Sequence, residues 1–444
     1  MFRDNDNDGK KKNKEALAPI VQKALCEMFS EEWLRKTAQE TGLIKRERKI
    51  DVVVLFWVLV CNIGPSAQRS FAGFKRRYED AWGGNMSISS FYERFSPELV
   101  EFLHQCVLHG IEHLGQLSSR TLTEKLSGFK DIVIQDSSII RLHKKLAKKW
   151  PAARTRKVAA GIKLATLVSA VSDGPKRVQI FGERVHDTKT IRIGPWVKDR
   201  ILLLDLGFFK YQLFDRIARN GGFFVSRLKS NADPVVVSAN RIWRGNSIDI
   251  VGKKVSEFLP KLKRGALDAE VEVSFKRRAY GGHSAKDTEC FRLVCVYNEE
   301  AKEYHAYITN IPADRLDAND IARLYGARWT IELVFKELKS LYKIDEIPTA
   351  NQRAVESLLW TAILTMLVSR RFYLIVLARN PHRAVRFTHM RWARVFAEKS
   401  MRLCDVVLDY MGLEYDIMTA LDMEESQALD PNVNRHRLME DWVD

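Results

Sequence analysis

Hydrophobic and polar positions divide the chain into three textures. From Ala16 to about Gln116 apolar residues recur at helical spacing; from about Lys130 short alternating or continuous apolar runs take over; from Gln352 to Gly412 the spacing is helical again. In the first stretch Asp51–Cys61 (DVVVLFWVLVC) is too uniformly apolar for periodicity to assign, and its flanks favour a buried helix. Ser90 with Glu93 predicts a capping box, and Ser96-Pro97 a capped helix start with proline at the first helical position.

In the middle stretch DIVIQD (Asp131–Asp136), GIKLATLVSAVS (Gly161–Ser172) and RVQIFGE (Arg177–Glu183) predict a three-stranded antiparallel meander, with Asp173-Gly174-Pro175 as its second turn. ILLLD (Ile201–Asp205) lacks alternation, which predicts a parallel strand buried on both faces and ending at a carboxylate. A helix over Phe208–Arg219 and a strand over Phe223–Arg227 complete a mixed α/β sheet. Short alternating runs at Val235–Val237, Ala269–Phe275, Cys290–Tyr297 and Tyr304–Thr309 predict a β-rich insertion. Lys261, Lys263, Arg264, Lys276, Arg277 and Arg278 lie in or beside its connections. Beyond Pro312, Asp317 or Asn319 caps a helix expected to run through LYGARWTIELVFKELK (Leu324–Lys339), with Gly326 weakening its first turn.

The expected organisation is a basic arm (1–15), a helical domain (16–129), an α/β core (130–233 with 311–345), a β-rich insertion (234–310) and a helical C-terminal region (346–444) that is a candidate for dimerisation. Charge changes the picture more than composition does. Lys and Arg number 72 against 56 Asp and Glu, giving +16 and a pI of about 9.5, which favours a polyanionic partner, nucleic acid before a membrane surface. Arg69, Lys75, Arg76 and Arg77 interleave with Phe71, Phe74 and Tyr78. That pattern suits DNA backbone contact, and equally a surface helix with its apolar face inward. Six scattered cysteines form no CxxC pair, the first residues (MFRDNDNDGKKKNKE) are no signal peptide, and Val355–Ser369 is too short to span a bilayer. The expectation is a soluble, cytoplasmic protein.

Candidate chemistry gathers on the helix over Leu324–Lys339. Tyr325, Arg328, Glu332, Lys336 and Lys339 fall within an arc of roughly 80° on an ideal helix, and Glu332–Lys336 is an i,i+4 pair. Such a stripe is either a solvated face or a metal-binding carboxylate among phosphate-binding cations. Asp136 and Asp205 stand in otherwise apolar strands, where a carboxylate needs a metal, a donor or a proton, although an aspartate after a strand also serves as a turn or cap. If the strands are neighbours, Asp136, Asp205 and Glu332 converge. Their all-oxygen donor set suits two Mg²⁺ or Mn²⁺ ions, the arrangement that supports in-line phosphoryl displacement.

These motifs resemble the Asp-Asp-Glu transposases of prokaryotic insertion sequences, specifically insertion-sequence family four. The hallmark Tyr-x2-Arg-x3-Glu-x6-Lys is matched without a gap by Tyr325, Arg328, Glu332 and Lys339. IQDSSII and LLLDLGFFKYQLFDRI match the segments of the two aspartates, and FFVSRLK the strand that follows. The resemblance covers about Lys130–Asp345. It implies a ribonuclease-H-like core, with Asp136, Asp205 and Glu332 as catalytic metal ligands. Tyr325, Arg328, Lys336, Lys339, Arg227 and Lys229 are implied as DNA contacts. It also implies double-stranded DNA as partner, both element terminal inverted repeats and target, and a homodimer bridging two ends. The insertion between Asp205 and Glu332 is similar to that of relatives that cut and paste through a DNA hairpin. Some of those place a tryptophan on the last insertion strand to hold a flipped base; here the position falls near Tyr304 or His305, and Tyr304 is either a base-stacking group or an ordinary strand aromatic. His186 and Asp187 form a further pair, read as a structural hydrogen bond ahead of a metal site. Two other functions stay open: an inactive or domesticated DNA-binding relative, and a nuclease of the same fold that never joins ends.

Overall fold

The computed structural model describes residues 24, 27–45, 50–63, 70–82, 86–117, 120–153, 159–240, 249–276, 286–347, 349–409 and 442, with side chains omitted at 80, 82 and 403–409. The basic arm, Gly64-Pro65, Arg69, Gly83-Gly84, Arg277, Arg278 and the acidic tail lie outside these residues. The chain divides into two compact units, one of Met1–Ser118, Ile140–Ile162 and Leu333–Arg435, the other of Ser119–Ile139, Lys163–Glu332 and His436–Asp444.

The first unit is helical. Its amino-terminal part holds α1 (Glu31–Glu40), α2 (Val52–Cys61), α3 (Phe71–Trp82), α4 (Ile88–Tyr92) and α5 (Pro97–Leu117). The ambiguous apolar run is indeed a helix: every residue of α2 is buried, and the Asp51 side chain accepts the amides of Val53 and Val54 at its start. The capping box expected at Ser90 and Glu93 is not formed. Ser87 caps α4 instead, through its hydroxyl on the amide of Ser90, and Glu93 lies at the other end of that short helix. Ser96 caps α5 as expected. In α3, Phe74 and Tyr78 are buried, Tyr78 accepts the Asp51 amide, and Lys75 pairs with Glu79 at 2.5 Å, so this helix turns its aromatic face inward.

The long helix α10 (Gln352–Arg379) is the core of this unit, and α11 (His389–Asp409) follows it. By length and hydropathy α10 could cross a membrane, but 83% of its most apolar window is buried within the fold, as in the core helix of a globular unit. Thr365 donates to the Val60 carbonyl and Trp392 to that of Ser369, which tie α10 to α2 and α11. Gly110 allows α5 to approach α10 closely: a Cβ there would stand 3.1 Å from Leu367. The region proposed for dimerisation thus spends α10 on its own unit.

The second unit is built on a sheet. Among the described residues nine strands run in the order β3-β2-β1-β4-β5-β9-β8-β7-β6. They are β1 (Asp131–Leu142), β2 (Ala160–Ser169), β3 (Gly174–Gly182), β4 (Arg200–Leu204), β5 (Phe223–Arg227), β6 (Val235–Ala239), β7 (Ala266–Lys276), β8 (Lys286–Asn298) and β9 (Glu303–Thr309). The meander and the parallel strand are found where the pattern placed them: β4 is buried and pairs in parallel with both β1 and β5. The five strands in the order 3-2-1-4-5, with helix α6 (Tyr211–Arg219) between β4 and β5, form the ribonuclease-H-like core expected.

The insertion continues that same sheet. Strand β9 pairs antiparallel with β5, and β8, β7 and β6 follow antiparallel, with the short helix α7 (Val255–Phe258) after β6. One hydrophobic core runs from Val133 and Leu202 through Phe214 and Phe224 to Val271 and Leu293. Within it Arg292 is buried and forks onto both oxygens of Asp268, at 2.9 and 2.5 Å, while its remaining donors reach the carbonyls of Ile311 and Leu316. The helix expected over Leu324–Lys339 is broken. Helix α8 (Ala318–Gly326), started by a capping box between Asp317 and Asp320, ends at Gly326, and α9 (Trp329–Ser340) begins three residues later. Gly326 and the turn at Ala327–Arg328 therefore replace one continuous stripe by two helices.

Candidate active site

Register places the two aspartates. Gln135 pairs with Leu204 in the parallel ladder of β1 and β4, so Asp136 and Asp205 follow side by side at the same end of adjacent strands. Open α/β sheets expose their chemistry at these carboxyl ends. Asp205 opens a single 3-10 turn, Leu206–Phe208. Glu332 comes from the first turn of α9.

One guanidinium joins the three carboxylates. Arg328 Nη2 donates to Glu332 Oε1 at 2.6 Å, Nη1 stands 3.6 Å from Asp136 Oδ2, and Nε stands 3.9 Å from Asp205 Oδ1. The i,i+4 partner of Glu332 is thus Arg328, not Lys336. Burial pushes the Asp136 carboxyl up to about 6; the Ser137 amide opposes this, Asp205 adds to it, and Arg328 opposes it. Tyr325 is buried against the Tyr307 ring at 5.2 Å, and burial pushes its hydroxyl up to about 12, so it is a neutral phenol. The Arg328 guanidinium lies 5.8 Å from the Tyr325 ring.

Arg227 ends β5, half-buried, 3.9 Å from Glu303. Lys229 is exposed. Lys336 is exposed and Lys339 half-buried on the later turns of α9, which belong to the first unit. Tyr304 is turned to the β-sheet interior: its hydroxyl donates to the carbonyls of Leu262 and Arg264, and its ring packs against Tyr297. His186 does not bond Asp187. Its Nδ1 accepts the Thr188 amide, while Asp187 accepts from Lys163 Nζ at 2.7 Å and Ser137 Oγ at 2.6 Å. Lys163 and Ser137 were missed by the sequence reading. Their one signal was a lone lysine inside the otherwise apolar run GIKLATLVSAVS.

The donor set is carboxylate oxygen, which fits Mg²⁺ or Mn²⁺ better than a softer metal. Among the described residues no three acidic, His or Cys side chains are spaced as a ready-made cage; Arg328 stands among the three carboxylates. A half-buried Asp136 with a raised pKa beside two further carboxylates is nevertheless a site that gains from a cation.

The family described as Transposase DDE domain matches residues 127–368, more than half of the chain. The chain belongs to the DDE transposases. It is similar to the transposase for insertion sequence element IS231B of Bacillus thuringiensis subsp. berliner, 22% identical over 390 residues, covering 79% of this chain and 78% of the relative. It is also similar to the transposase for insertion sequence element IS1151 of Clostridium perfringens, 21% identical over 380 residues, covering 79% of each chain. A cryo-EM structure of a piggyBac transposase synaptic complex with hairpin DNA aligns over 94% of this chain and 86% of that one, at 12% identity and a TM-score of 0.45. As a DDE transposase this protein is a DNA-cleaving and strand-transferring enzyme, of a family that uses divalent metal ions.

Proposed function

We propose that this transposase cuts DNA at the ends of an insertion sequence and joins the freed 3′ ends to target DNA, with Asp136, Asp205 and Glu332 holding two Mg²⁺ or Mn²⁺ ions. The convergence of these three carboxylates, from two adjacent strand ends and one helix, on the single cation Arg328 carries this reading. When bound, the ions would supply Lewis acidity, lowering the pKa of an attacking hydroxyl and neutralising charge on the phosphate.

The chain's own groups do the rest. Arg328, Lys336 and Lys339, with Arg227 and Lys229, neutralise and orient DNA phosphates, and the neutral Tyr325 phenol offers a hydrogen-bond donor. We assign the hairpin cut-and-paste route because the strand-rich insertion between Asp205 and Glu332 resembles that of hairpin-forming relatives. A homodimer would bridge the two terminal inverted repeats, and a net charge of +16 supports polyanion binding.

The full chain, incubated with its element ends and Mn²⁺, should release cleaved ends, form covalently closed hairpin ends visible on denaturing gels, and insert into a plasmid target. Asp136→Ala, Asp205→Ala and Glu332→Ala should each abolish cleavage while leaving DNA binding in place. Full activity in all three variants would overturn the assignment.

A further inference from the structure

We propose that Asp187, anchored by Lys163, is a positioning residue that sets the spacing of Asp136 and Asp205 and thereby the affinity of the site for a divalent cation. The inference rests on the reading that these two aspartates are metal ligands. Asp187 opens a 3-10 turn, Asp187–Lys189, and that turn holds its backbone: the Asp187 carbonyl accepts the Thr190 amide and the Thr190 hydroxyl. Its carboxylate reaches both catalytic segments. Toward β1 it accepts the Ser137 hydroxyl at 2.6 Å, and the Ser137 amide in turn donates to Asp136 Oδ1 at 2.7 Å. Toward β4 it lies against Gly207, two residues past Asp205, where a Cβ would stand 2.9 Å from Asp187 Oδ2.

Lys163 explains why this carboxylate stays in place. It is nearly buried in β2 and donates to Asp187 Oδ1 and to the Val185 carbonyl, each at 2.7 Å. A lysine in a buried strand carries a large desolvation cost without a charged partner, so the pair is held together strongly. Lys163 offsets the Asp187 charge, whose effect on Asp136 ranks behind burial, the Ser137 amide, Asp205 and Arg328, and Asp187 acts chiefly through geometry: it clamps Ser137 on one side and packs on the Asp205 turn on the other. Groups that orient metal-binding side chains in this way govern affinity about as strongly as some ligands do, with losses of about 10–100-fold when removed.

Mn²⁺ binding to the full chain, followed by electron paramagnetic resonance of the free ion, tests this without relying on activity. Thermal melting of the same samples reports on folding. Asp187→Asn and Ser137→Ala should each weaken Mn²⁺ by about tenfold or more, and Ser137→Thr, which restores the hydroxyl, should bind like the parent. In cleavage assays the two weakened variants should recover most of their rate at saturating Mn²⁺, at a temperature where thermal melting shows both to be folded without added metal, so that stabilisation by the ion cannot account for the recovery. Parent affinity in both Asp187→Asn and Ser137→Ala overturns the inference. So does loss in Asp187→Asn alone, which would instead reflect the uncompensated Lys163 charge. Ser137→Ala changes no charge and remains informative if Asp187→Asn does not fold. Asp136→Ala separates the two claims. If it loses Mn²⁺ while Asp187→Asn and Ser137→Ala do not, only the positioning role falls; if it too binds like the parent, the metal assignment falls and takes this inference with it.

Discussion

Arg328 donates to Glu332 at 2.6 Å, and the same guanidinium faces Asp136 and Asp205 within 4 Å. Its positive charge lets three carboxylates share one place. A divalent ion would compete with it for the same oxygens. Arg328→Gln should therefore lower the stability of the metal-free protein by about 1–2 kcal/mol, allowing for the partial exposure of Glu332. Added Mn²⁺ should then raise the melting temperature of the variant more than that of the parent, because no guanidinium has to be displaced. Equal Mn²⁺-induced shifts in the two proteins would contradict this.

The Asp136 carboxyl gives a pH dependence with a definite sign. Burial raises it from the ordinary 3.8 to about 6, so the folded state holds the proton more tightly than the unfolded chain. This contribution favours folding below about pH 4 and is lost as the pH rises through about 6. Asp136→Asn removes the titration, so its stability relative to the parent should rise between pH 4 and pH 7. A shift of two units corresponds to about 3 kcal/mol, and with one fifth of the side chain exposed about 1–2 kcal/mol is expected. Urea unfolding in a metal chelator across that range checks it. A constant offset between the proteins would show that the two carboxyl environments do not differ as described.

The two aspartates proposed as metal ligands stand out in the sequence because strands leave strong local marks. ILLLD announced a strand buried on both faces, and the parallel register that brings Asp136 beside Asp205 follows once β1 and β4 are neighbours. What escaped was set by contacts distant in sequence or by backbone geometry. The break between α8 and α9 could be suspected from Gly326, but the turn that puts Arg328 among three carboxylates could not be read from helical spacing. The Asp187 partners were missed for a related reason: Ser137 and Lys163 lie 50 and 24 residues away, and the adjacent His186 was the more visible candidate. Ser87 displaced Ser90 as a cap because all three serines, Ser87, Ser89 and Ser90, offer the same chemistry within one turn.

Tyr304 provides a test of structure against analogy. With its hydroxyl on two backbone carbonyls and its ring beside Tyr297, it is a packing residue of β9. Tyr304→Leu should cost about 2 kcal/mol of stability through the lost hydrogen bonds and ring contacts. Affinity for element-end DNA, measured at a temperature where the variant is folded, should match that of the parent. Unchanged stability together with weaker binding or missing hairpin product would favour the base-stacking role for Tyr304.

Lys336 and Lys339 share α9 with Glu332, and Lys336 is exposed. If they meet phosphates, each contributes through released counterions and carries no base information. Lys336→Ala and Lys339→Ala should each weaken DNA binding and reduce the slope of log affinity against log salt by about one. The loss should be the same on element ends and on unrelated duplex DNA, since a phosphate contact does not read sequence. Fluorescence anisotropy across a series of KCl concentrations measures both quantities. An unchanged slope with reduced cleavage would mean that the lysines act on the helix bearing Glu332, and a loss confined to element ends would mean that they contact bases.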